Sequence, residues 1–262
     1  VEELRLKLDT ELGIGRLYFR PFNTVGMDSL YIFDKQGEKI FLADNVSASI
    51  DLFELMKQNI VVSSTRLSDF ELNLSKQSKD SALNIQFIID AFKSKDEKPK
   101  SKLDLKINAI NIQDGSFSYD ILDQKNKNDR FDQNHIYVSN FNAKLALKSL
   151  HSDSLNIQIR KLGLQEKSGL KINNMVGRLI TQGENISLKG FELLLPDSKV
   201  EFAKLDFVLP KKPNDSTQVH SHDDDLKLDF SLAPSYISPR DIAAFVPQFK
   251  NMNERVYIQT QI

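Results

Sequence analysis

Asp69-Phe70-Glu71-Leu72-Asn73-Leu74-Ser75 puts an apolar side chain at every second position and a polar one between. Successive side chains of a strand point to opposite faces, so this stretch has one oily face and one wet face. A helix would need its apolar positions three or four apart. The pattern recurs. Leu155, Ile157 and Ile159 alternate with Asn156, Gln158 and Arg160, and Leu226, Leu228, Phe230 and Leu232 alternate with Lys227, Asp229 and Ser231. About a dozen such stretches, with few helical ones, predict a mainly β chain that displays more apolar sheet face than its helices can cover.

Composition narrows the function classes. The 262 residues are 40% hydrophobic and 27% charged, which suits a folded domain. Formal net charge is −1, from 35 basic and 36 acidic residues. No overall basic field exists to hold phosphate backbones, so no nucleic-acid partner is expected. Cysteine is absent, which excludes disulfides, thiolate metal sites and cysteine nucleophiles. No run approaches the roughly 18 apolar residues of a spanning helix. Val1-Glu2-Glu3-Leu4-Arg5-Leu6-Lys7-Leu8 and Arg255-Val256-Tyr257-Ile258-Gln259-Thr260-Gln261-Ile262 both read as mid-strand, which predicts a piece of a longer chain.

Turn residues set the segmentation. Gly13, Gly15, Pro21, Gly26 and Gly37 divide opening strands at about 3–9, 12–20, 27–34 and 39–50. Ile50, Phe53, Leu55 and Met56 behind Asp51 predict a short helix, followed by strands at about 59–66 and 68–75. A second helix is expected over Ala82 to Phe92, then a charged connection at 93–101. Strands are expected at about 102–112 and 115–122 around the turn Asp114-Gly115, then at 135–150, 154–166, 170–182, 185–195, 198–209 and 226–233. The polar inserts 123–134 and 210–225 read as solvated loops. Ser238-Pro239-Arg240-Asp241 starts a third helix, with Ser as cap and Pro at the first helical position, and Pro247 bends or ends it. Phase slips at Ile107 to Ile110 and at Ile159 to Leu162 predict β-bulges and a strongly curled sheet. The organisation is therefore 1–92, a β region with short helices; 93–101, a connection; and 102–262, a continuing curved sheet.

Little in the chain points to catalysis. His220 and His222 beside Asp223, Asp224 and Asp225 resemble a metal site, but they lie in an insert with no rigid element to set ligand geometry. No serine occupies a nucleophile elbow and no glycine-rich loop precedes a helix. The expectation is a protein without enzymatic activity, cofactor or metal. Seventeen phenylalanines, six tyrosines and no tryptophan argue against a membrane-spanning barrel, which needs interfacial Trp and Tyr girdles.

Leu30-Tyr31-Ile32-Phe33-Asp34, a Gly turn, and Phe41-Leu42-Ala43-Asp44-Asn45-Val46-Ser47-Ala48-Ser49-Ile50-Asp51-Leu52 are followed by Ile60-Val61-Val62 and Leu67-Ser68-Asp69-Phe70-Glu71-Leu72-Asn73-Leu74. Asn84, then Ile110-Asn111-Ile112-Gln113-Asp114-Gly115-Ser116-Phe117-Ser118-Tyr119-Asp120, and finally Ile237-Ser238-Pro239-Arg240-Asp241-Ile242 through Phe245-Val246-Pro247 continue the order. This succession resembles the AsmA/TamB superfamily of bacterial envelope proteins. The resemblance implies a periplasmic protein held in the inner membrane by an anchor helix not present in this sequence. Its sheet would form an open trough that conducts phospholipid between envelope membranes, and a link to an outer-membrane assembly protein is also implied.

The expected fold is a highly curved, mostly antiparallel sheet around an apolar groove, with about three short helices. Expected lining residues for phospholipid acyl chains are Val46, Ile50, Phe70, Leu72, Leu74, Leu105, Ile107, Phe117, Tyr119, Leu145, Leu147, Ile157, Ile159, Phe191, Leu193, Leu205, Phe207, Leu228 and Phe230. Two alternatives stay open: a scaffold or chaperone that offers sheet edges to outer-membrane strands, and a self-filled structural β-sandwich.

Overall fold

A computed structural model describes residues 6, 8–21, 23–57, 61–92, 106–127, 130–150, 154–209 and 227–259. Among these residues sixteen strands join in one open sheet. They are β1 (Leu12–Gly13), β2 (Arg16–Arg20), β3 (Thr24–Phe33), β4 (Lys39–Ile50), β5 (Val61–Lys76), β6 (Lys106–Ile107), β7 (Ala109–Ile121) and β8 (His135–Leu150). Then come β9 (Ser154–Glu166), β10 (Lys171–Ile172), β11 (Asn174–Gln182), β12 (Asn185–Leu194), β13 (Lys199–Val208), β14 (Lys227–Leu232), β15 (Ser235–Ile237) and β16 (Val256–Ile258). The main path runs β1-β3-β4-β5-β7-β8-β9-β11-β12-β13-β15-β16; off it, β2 pairs with β3, β6 with β5, β10 with β9 and β14 with β13.

Pairing is antiparallel except where β5 meets β6 and β7. A parallel neighbour needs a crossover from one end of the sheet to the other. Helix α2 (Gln86–Phe92) begins that crossover. Helix α1 (Leu52–Met56) links β4 to β5, and the Asp51 carboxylate accepts from the Phe53 and Glu54 amides to cap it.

Several expectations are corrected. Strands expected at 59–66 and 68–75 form one continuous β5. Asp114-Gly115 is not a hairpin turn; it lies inside β7, where Asp114 takes φ +49°. The third helix is instead a pair of short 3-10 turns, Pro239–Ile242 and Pro247–Asn251, because Pro247 cannot donate to a continuing α-helical ladder. Leu6 and Leu8, read as strand, have helical backbone.

A line of three-residue steps crosses the sheet. Apolar positions run Met27 to Leu30 in β3, Val46 to Ala43 in β4, Leu67 to Phe70 in β5, Ile112 to Gly115 in β7 and Phe141 to Val138 in β8. The extra residue has left-handed backbone at Ser29 (φ +53°), Asp69 (+51°), Asp114 (+49°) and Asn140 (+51°). Neighbouring strands slip together, so pairing resumes on the far side with the apolar residues still on one face. Farther along, β9, β12 and β13 make the same step at Ile159 to Leu162, Leu188 to Phe191 and Phe202 to Leu205. An extra residue bends its strand, and bends at one level in adjacent strands add into a crease.

Candidate functional site

The apolar face is built from rows of directly opposed residues. Leu17, Met27, Val46, Leu67, Ile112, Ala143 and Leu162 form one row from β2 to β9. Leu147, Ile157, Leu179, Leu188, Leu205 and Phe230 form another from β8 to β14. Below the crease, Ile32, Phe41, Leu72, Phe117 and Val138 align. The register brings every described lining candidate to this face: Val46 and Ile50; Phe70, Leu72 and Leu74; Ile107; Phe117 and Tyr119; Leu145 and Leu147; Ile157 and Ile159; Phe191 and Leu193; Leu205 and Phe207; Leu228 and Phe230. Leu105 lies outside the described residues.

Sequence reading passed over Met27, Leu67, Ile112, Leu179 and Leu188, which complete the rows. The signal was available, because each keeps the alternation of its own strand once the three-residue step is allowed.

Among these candidates only Phe70 (7% exposed), Ile159 (8%) and Leu205 (8%) are buried; Leu228 and Phe230 are 50% and 45% exposed, and the rest are half-buried. Side chains in a packed sandwich core would be closed off. Here they shield one another from within a single bent sheet, which places the apolar face on the inside of the bend. At the crease the Phe70 ring fills the space over Gly115, where an added Cβ would come within 1.9 Å of the ring. Phe70 then meets Phe41 and Phe141 at centroid separations of 6.3 and 6.4 Å, so an aromatic cluster spans β4 to β8.

One end of the central strands, where β7 ends and β8 begins, carries buried polar groups. The insert that was read as solvated is partly docked there. The Phe131 amide donates to the Ala244 carbonyl at 2.6 Å, and its ring lies 5.2 Å from that of Phe245. His135 is buried, with Nδ1 2.9 Å from the Asp120 carboxylate and Nε2 3.0 Å from the Gln124 carbonyl. Asp132, 2% exposed, accepts from the Lys127 and Asn134 amides.

Burial pushes the Asp132 carboxyl up, but the two amide bonds and the charges of His135 and Lys127 together hold it below its ordinary 3.8. A carboxylate lowered on folding stabilises the fold above the unfolded value and loses that contribution as pH falls through the folded one. Asp132→Asn should therefore melt below the parent at neutral pH. The gap should close as pH drops below about 4 in thermal unfolding series, since the parent then carries a neutral acid too.

Among the described residues no cluster of three His, Asp or Glu side chains could hold a metal ion. His220 and His222 lie outside those residues. No described helix is long and apolar enough to cross a membrane. No protein-family model and no curated protein matches the chain.

Proposed function

We propose that the chain is a noncatalytic segment of an AsmA/TamB-like envelope protein, and that its apolar face carries phospholipid acyl chains between membranes. The supporting observation is the row of half-buried aliphatic side chains running across successive strands of a single sheet, with no second sheet among the described residues. A buried methylene contributes about 0.8 kcal/mol, so about ten of them give on the order of 8 kcal/mol before ordering costs. A lining without directional bonds also lets a tail slide, because no single contact is costly to break.

Where β4 begins and β5 and β7 end, a cleft of about 740 Å³ mixes Leu74, Leu83 and Phe87 with Lys39, Asn73 and Ser118. That mixture suits a polar headgroup attached to an apolar tail. A periplasmic location, an inner-membrane anchor and an outer-membrane assembly partner belong to the same reading.

Mass spectrometry of organic extracts from the purified protein tests it. Phospholipid at near-stoichiometric amounts is expected; protein free of lipid, binding extended peptides instead, would favour the edge-offering scaffold.

A further inference from the structure

The cleft where β4 begins and β5 and β7 end is lined by charges of both signs, Lys35 and Lys39 against Asp34, Glu38 and Asp120. Two of the five are engaged within the protein. Asp34 is buried and accepts from the Gln36 and Glu38 amides, which shapes the β3–β4 turn. Lys35 donates to the Asp9 carboxylate at 2.8 Å, and its ammonium lies 5.3 Å from the centre of the Phe87 ring. Asp120 holds His135 with one oxygen, at 2.9 Å, while its side chain stays 41% exposed. Glu38 and Lys39 are exposed, and their side chains bond to nothing among the described residues.

The apolar wall beside these charges is fixed in place. The Asn84 side chain donates to the Asn73 carbonyl at 3.0 Å and accepts from the Ser75 amide at 3.1 Å, which stitches the segment before α2 to β5. That stitch sets Leu83 and Phe87 in the cleft with Leu74. A ligand can rest an apolar part there while its charged part meets Lys39, Glu38 and the second oxygen of Asp120.

The signs decide what that part carries. A purely anionic group drawn to Lys39 would also face Glu38 and Asp120, and like charges repel. A group with an ammonium beside its phosphate satisfies both signs. Its N–H donors suit carboxylate oxygens, and charge-assisted bonds are the stronger kind. A quaternary ammonium lacks those donors and is held instead by aromatic faces. One face of Phe87 is already taken by Lys35. Lys39 on β4 and Asp120 on β7 flank β5, so their backbones stand two strand spacings, roughly 10 Å, apart. An aminoethyl phosphate bonded at both ends bridges that distance. We infer that the cleft recognises a phosphoethanolamine group and selects phosphatidylethanolamine over other phospholipids. The inference rests on the lipid-carrying reading of the apolar face.

The purified chain is incubated with vesicles holding equal amounts of phosphatidylethanolamine, phosphatidylglycerol and phosphatidylcholine with identical tails. It is then reisolated, and its bound lipid is counted by mass spectrometry. Phosphatidylethanolamine is expected to exceed each of the others about fivefold or more. Lys39→Glu should erase that preference, and Glu38→Lys with Asp120→Asn should turn it toward phosphatidylglycerol. Glu38→Lys alone carries the same shift should the loss of the Asp120 carboxylate disturb His135. Soluble glycerophosphoethanolamine at about 1 mM is expected not to displace the lipid, since it has no tails to bury; displacement would assign the cleft to the free compound and overturn the inference. Equal uptake of the three lipids, or variants that select as the parent does, overturns it too and leaves the transport reading standing. A chain that takes up no phospholipid overturns both.

Discussion

Ile157→Asp is expected to yield a folded protein that has lost about nine-tenths or more of its copurifying phospholipid. Ile157 is half-buried between Leu147 and Leu179, and among the described residues no second sheet packs against it. A carboxylate there stays hydrated, so the stability cost is modest, about 1–2 kcal/mol. A bound tail would have to lie against that charge and lose its burial, and a tenfold loss of binding needs only about 1.4 kcal/mol.

Ile40 supplies the contrast. It is 1% exposed, among the most buried side chains of the chain. Ile40→Ala should cost about 2–4 kcal/mol in denaturant unfolding and leave lipid content per folded molecule unchanged. If Ile157→Asp unfolds the chain as well, the apolar face is ordinary core and the transport reading fails.

Gly115→Val should destabilise the chain by about 3 kcal/mol, against the preference of strands for β-branched residues. The cause is steric. The space beside the Gly115 Cα is occupied by the Phe70 ring, itself 7% exposed and held between Phe41 and Phe141. Combining Gly115→Val with Phe70→Ala should cost less than the two changes summed, with a coupling of about 2 kcal/mol in chemical denaturation. Strict additivity would show that the ring does not fill that space.

Much of the sheet was legible because period-2 alternation needs only local sequence. β4 was bounded at 39–50, and β8 and β9 at 135–150 and 154–166, as the structure has them. Asp114-Gly115 was misread because the dipeptide suits any backbone that requires positive φ, whether a hairpin turn or an extra residue within a strand. β5 was split at Leu67, where the three-residue step to Phe70 interrupts the alternation. The parallel β5–β7 pairing could not be read at all, since nothing in either strand names its neighbour. The apolar positions are legible strand by strand, but the rows they form depend on register, and register is a property of pairs. The like charges that face one another across β8 and β9, Lys144 and Lys161, stayed hidden for that reason. Lys144 and Lys161 are ordinary wet-face residues until the pairing sets them face to face.

The crease divides the design of this protein between two kinds of sequence information. Where each strand turns fixes the cross-section, because it sets the height of the two walls. How many strands follow one another fixes the span, at about 4.8 Å each, so the twelve on the main path cover roughly 50 Å. Duplicating a hairpin that carries the same step would lengthen the folded sheet without altering its profile. Reach across a gap of any width could then evolve by repetition alone.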